Sequence, residues 1–152
     1  MANTILSLHS ILRWLLLILL VASIIKSFSG WQSKKIFTTG DRKLFLFTLI
    51  TTHINFLVGL YLLFFGTFGI ISAGKPDGVD VMKDKFFRFF WVEHPVGMLI
   101  AIVLITLGNA MAKKNVIDAI KFKKAFWFFF IALIIILATV PWPFREIGRP
   151  WI

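Results

Sequence analysis

Ile5-Leu6-Ser7-Leu8-His9-Ser10-Ile11-Leu12-Arg13-Trp14-Leu15-Leu16-Leu17-Ile18-Leu19-Leu20-Val21-Ala22-Ser23-Ile24-Ile25-Lys26-Ser27-Phe28 is the stretch that decides the fold. It exceeds the length of about 20 apolar residues that a helix needs to cross the hydrocarbon of a bilayer. Yet it contains a histidine and, one turn later, an arginine, both costly in lipid unless a partner, ligand or pathway accounts for them. Three further apolar stretches follow, and the hydrophobic pattern predicts helices over roughly Ile5–Phe28, Leu44–Phe68, Phe89–Met111 and Phe122–Val140. The expected fold class is therefore all-α, an integral membrane four-helix bundle forming one transmembrane domain over residues 1–152.

Composition supports that class. A hydrophobic content of 59% and a mean hydropathy of +0.87 exclude an ordinary water-soluble domain of this size. The first stretch has no basic region before it and no convincing cleavage site after it, so it reads as a retained span. The absence of cysteine excludes disulfides, iron–sulfur ligation, thiolate metal sites and covalent c-type haem attachment. No P-loop, dinucleotide-binding or serine-hydrolase motif is present, and no internal repeat suggests a transporter of duplicated halves.

The net charge of +10 is distributed as a topology signal, not as a nucleic-acid surface. The first connection carries Lys26, Lys34, Lys35, Arg42 and Lys43 against Asp41. The third carries Lys113, Lys114, Lys121, Lys123 and Lys124 against Asp118. The second is nearly balanced, with Lys75, Lys83, Lys85 and Arg88 facing Asp77, Asp80 and Asp84. Basic short loops stay on the cytoplasmic side, which predicts both termini on the outer, periplasmic side of a bacterial inner membrane and contact with anionic lipid.

Helical periodicity sorts the polar residues by face. His9, Arg13, Leu16, Leu20, Ser23 and Ser27 share a stripe on the first helix; His94, Gly97, Ala101, Ile105, Gly108 and Ala112 share one on the third. On the second, Thr48, Thr52, Asn55, Gly59 and Gly66 line up and His53 points away; the fourth offers Ala125, Ala132 and Thr139. Asn3 and Thr4 are candidate caps for the first helix, and Thr38–Asp41 for the second. Most phenylalanines are expected to face lipid, with Trp14, Trp91, Trp142 and Trp151 in an outer aromatic belt. His9 and His94 fall at a similar depth near the outer end, whereas His53 falls near the midplane.

Two imidazoles at one level on facing stripes can clamp an iron from both sides, the free nitrogen of each donating its lone pair. Arg13 is expected to pair with a cofactor carboxylate or Glu93, and Arg88, more weakly Arg145 and Arg149, to meet a carboxylate at the cofactor's rim. Glu93 is a candidate proton acceptor at the outer surface. Two other readings remain open. His9, His94 and Glu93, with or without His53, could hold zinc or copper. Alternatively the chain is a non-catalytic accessory or assembly subunit of a larger complex, with its small-residue stripes serving helix packing.

The combination Leu8-His9-Ser10-Ile11-Leu12-Arg13-Trp14, Thr52-His53, Glu93-His94 and Pro141-Trp142-Pro143-Phe144-Arg145 resembles short four-helix bacterial membrane proteins labelled cytochrome b-like. More distantly it resembles the four-helix haem-binding protoporphyrinogen oxidases, although Ile11–Leu15 departs from their continuation. The resemblance implies a non-covalent haem b on His9 and His94, with His53 in reserve. With three histidines, one bis-histidine haem is the most the chain can hold. That implies electron transfer from a lipid quinol to a membrane or periplasmic redox partner, with the haem supplying the redox chemistry.

Overall fold

The computed structural model describes residues 2–149 and 151. Four helices are long and apolar enough to cross a membrane. Helix α1 covers Ala2–Gln32, α2 Thr39–Phe65, α3 Lys85–Lys113 and α4 Asp118–Thr139. Each neighbour in sequence is a neighbour in space and α4 closes on α1, so the chain runs up and down around a bundle. Helices α1 and α3 face each other across its diagonal. Both chain ends and the long α2–α3 connection lie at one end; the two short connections lie at the other.

The helices are longer than the apolar pattern predicts, and polar caps start the second and third of them. Thr38 and Asp41 form the expected capping box, with side-chain and backbone bonds in both directions. Asp118 ties the opposite wall by accepting from the Phe37 backbone N–H at 2.9 Å and pairing with Lys121 at 3.2 Å. Asn3 and Thr4 are not caps, since α1 begins at Ala2 and both fall within its first turn. Asp84 starts α3 by accepting from the backbone N–H groups of Phe86 and Phe87, so that segment extends the third helix.

Inside α3, Phe89–Glu93 winds as a π-helical turn, with the His94 N–H donating to the Phe89 carbonyl. Pro95 explains the local change of pitch. Proline has no N–H to give the carbonyl four residues back, and its ring presses against that carbonyl, so the helix widens there.

The core follows the stripes read from sequence. Leu16, Leu20, Ala101, Ile105, Ala125, Ala132 and Ile136 are buried, while Ile18, Ile25, Leu57 and Ile134 are exposed on the bundle's outside, as a lipid-facing surface requires. Not all phenylalanines face outward: Phe45, Phe89, Phe122 and Phe129 are buried. They fill space that the alanines and glycines of neighbouring helices leave open. A polar layer interrupts the core where the Ser23 and Thr48 hydroxyls bond at 2.9 Å. Thr48→Val should cost about 0.6 kcal/mol and at most about 1.7, read from the unfolding equilibrium in detergent.

Candidate functional site

A cavity of about 320 Å³ opens between α1, α2 and α3 toward the end that carries the termini, and His9, Arg13, Asn55, His94 and Arg149 line it together with apolar side chains. The His9 and His94 rings meet across the bundle diagonal with centroids 6.3 Å apart and planes at 81°. These two histidines were expected at one level from their depth alone, and the structure brings them together.

His94 is held from two sides. Its Nδ1 lies 2.7 Å from the Thr139 carbonyl, and its ring stacks on buried Phe89 at 6.1 Å. A carbonyl only accepts, so Nδ1 must carry the proton; in the neutral imidazole Nε2 then carries the lone pair. The Thr139 carbonyl is free to accept because of Pro141-Trp142-Pro143. The last carbonyls of a helix lack intrahelical donors, and here the residue four beyond Thr139 is Pro143, which has no N–H. The same deficit is met at Leu137 by the Trp142 indole N–H at 2.8 Å and at Ala138 by Arg145 at 2.9 Å. Gly97, one turn after His94, lets α4 approach: a Cβ there would lie 2.5 Å from the Thr139 Cγ2.

His9 lies against α2. A Cβ on Gly59 would stand 3.1 Å from its Cε1, so a side chain there would press on the ring. Its Nδ1 is buried with no hydrogen-bond partner among the described residues, and so is the Oδ1 of Asn55, which lies beside the ring. Arg13 donates from Nη2 to the Trp151 carbonyl at 2.7 Å and stacks near Trp14 and Trp142 at 5.5 and 5.8 Å. Its Nε has no partner among the described residues. The partner expected for Arg13 is thus a backbone carbonyl of the C-terminal segment, not Glu93. Trp14, Trp142 and Trp151, three of the four tryptophans expected in an outer belt, pack on one another.

The rim arginine differs from expectation. Arg88 is engaged elsewhere, its Nε on Glu93 Oε1 at 2.8 Å and its Nη1 on the Met82 carbonyl at 3.2 Å, and neither Arg88 nor Glu93 lines the cavity. The π turn brings these two side chains together. Arg149 takes the rim position, its guanidinium lying 5.0 to 5.6 Å from the ring centroids of Phe68, Phe86 and Phe90. Burial among those rings lowers its pKa from the ordinary arginine value, and it remains a cation at neutral pH. Arg145 instead caps the end of α4 and lies 5.3 Å from Phe89.

His53 stands apart, exposed on the outer face of α2, with Nδ1 2.9 Å from the carbonyl of Leu49 in its own helix. Among the described residues, no group of three or more His, Cys, Asp or Glu side chains assembles that could hold a metal ion. The set of His9, His94 and Glu93 expected for zinc or copper is not brought together, Glu93 pairing instead with Arg88.

Asn55, Gly59, Thr139 and Arg149 are the site residues that sequence reading used only for packing or weakly. Pro143, four residues beyond Thr139, was the available signal for the first carbonyl acceptor. Comparison with known proteins does not extend this picture: no protein-family model, curated protein or solved structure matches the chain.

Proposed function

We propose that this protein binds one b-type haem between His9 and His94 and acts in electron transfer within a bacterial inner membrane. The observation that carries the reading is the pair of partly buried rings meeting across the bundle. With metal–imidazole bonds of about 2.0–2.1 Å, two collinear rings hold their centres roughly 6 Å apart; these stand at 6.3 Å. The donor set fits as well. His94 is fixed with Nε2 as its lone-pair nitrogen, the arrangement seen in metal-ligating histidines.

The remaining lining suits an amphipathic dianion better than a bare ion. Arg13, with its Nε unpartnered, and Arg149 at the rim are placed to receive carboxylates, and Phe90, Trp91 and Met98 present apolar surface. When bound, such a group supplies one-electron redox chemistry. The chain's residues hold it, exclude water from it and neutralise its acid groups. The charge pattern of the connections supports termini on the periplasmic side, which sets the site toward the outer leaflet. A lipid quinol reaching that leaflet is the proposed donor, with a membrane or periplasmic protein as acceptor. Glu93, beside His94 in sequence and held by Arg88, is the proposed proton acceptor.

The test is spectroscopic. Protein purified from cells supplied with haem is expected to show a Soret band and one haem per chain by extraction. No Soret band under those conditions overturns the proposal. His53→Gln is expected to leave the band unchanged and to alter stability by less than about 0.5 kcal/mol, as for other exposed positions.

A further inference from the structure

His94 and His9 are supported differently. His94 has its orienting acceptor in the Thr139 carbonyl, whereas His9 Nδ1 has no hydrogen-bond partner among the described residues although it is buried. A buried imidazole N–H left without an acceptor costs about 1–3 kcal/mol. A second buried orphan, the Oδ1 of Asn55, lies on the helix that the His9 ring rests against. Asn55 is 7% exposed and sits one turn from Gly59 on the same face of α2. The Gly59 position, in turn, would place a Cβ 3.6 Å from His9 Nδ1.

The other polar groups nearby have partners of their own. The Thr52 hydroxyl is turned to its own helix, donating to the Thr48 carbonyl at 2.7 Å, and no bond joins it to His9 Nδ1. Arg13 offers donors only. The backbone carbonyls of α2 at this level, that of Asn55 beside the ring included, already accept within its helical ladder, whereas the Asn55 amide oxygen accepts from no described residue. His53 shows the contrasting solution, its Nδ1 turning back to a carbonyl of its own helix.

We infer that Asn55 is the positioning residue for His9: its amide oxygen accepts the Nδ1 proton, fixes the tautomer and presents Nε2 to the cavity. The two histidines are then held alike, each with Nδ1 tied to an oxygen and Nε2 free to bind. A side-chain amide serves one and a proline-exposed carbonyl the other. Asn55 acts through the imidazole. The consequence for a metal rests on the haem proposal; the tautomer does not.

Two measurements test this separately. In protein labelled with ¹⁵N-histidine and prepared without haem, the nitrogen shifts of His9 report its tautomer, with His53→Gln and His94→Gln used for assignment. Protonated Nδ1 is expected in the wild type. Asn55→Leu is expected to release it into a mixture, and Asn55→Asp, which keeps the acceptor, to retain it. Protonated Nε2 in the wild type, or no response to Asn55→Leu, overturns the inference. Titration with haem is the second readout: Asn55→Leu is expected to weaken binding about 10- to 100-fold, as loss of an outer partner does in metal sites. Asn55→Asp is expected to restore it and lower the reduction potential. Haem binding in the wild type with unchanged affinity in Asn55→Leu rejects the role of Asn55 and leaves the haem proposal standing. An Asn55-dependent tautomer with no haem bound rejects the haem proposal and leaves Asn55 in place.

Discussion

His94→Ala is expected to abolish the Soret band of haem-supplied protein or to shift it to that of a one-histidine site, the largest spectral effect of any single change here. The substitution removes one of the two facing rings and leaves the other ligand, the rim arginines and the cavity walls in place. It also leaves the Thr139 carbonyl without the donor it has at 2.7 Å, which costs about 1–3 kcal/mol when such an acceptor stays buried. Because both effects follow from one deletion, free imidazole added to the purified variant separates them. Recovery of the band with imidazole attributes the loss to ligation. A folded variant that keeps the wild-type spectrum removes His94 from the site altogether.

Gly97→Val is expected to lower stability by about 1–3 kcal/mol through overpacking, measured as a reduced unfolding midpoint in detergent. The reason is the contact between α3 and α4. A Cβ at position 97 would come within 2.5 Å of Thr139 Cγ2 and 3.0 Å of its Cβ, and Thr139 is pinned by its hydroxyl bond to the Ile135 carbonyl at 2.7 Å. Relief requires the helices to separate where the His94 bond crosses between them. The stability loss should therefore come with a change in the His94 nitrogen shifts. Gly59→Ala provides a contrast, since it presses on the His9 ring and should disturb His9 while leaving the His94–Thr139 bond intact. A Gly97→Val protein as stable as the wild type shows that α3 and α4 do not need this close approach.

Most of the bundle was legible because lipid imposes strict rules on sequence. Each of the four stripes chosen by three-to-four spacing is the buried face of its helix, and His53, off its stripe, is exposed. The meeting of His9 with His94 follows from two depths and two faces, both of which helical geometry supplies. What could not be read depends on where backbone groups end up. The orienting carbonyl at Thr139 is a property of Pro143 four residues later and of the way α4 ends. Arg149, expected at the rim more weakly than Arg88, is the one that lines the cavity, because a distance along an ideal helix ignores pitch. The π turn lets Arg88 reach Glu93, and the segment after α4 folds back over the cavity, its Arg149 N–H reaching the Pro141 carbonyl at 3.0 Å. Sequence proximity to His94 favoured Arg88; chain reversal favoured Arg149.

The widened turn at Phe89–Glu93 also sets how this helix can change by mutation. A turn of this kind holds one surplus residue relative to the ordinary pitch. Excising one residue there would rotate everything on the terminal side by about 100°, while the histidine and all that follows it kept their orientation. A variant shortened by one residue at this point would keep the interior yet display a different entrance.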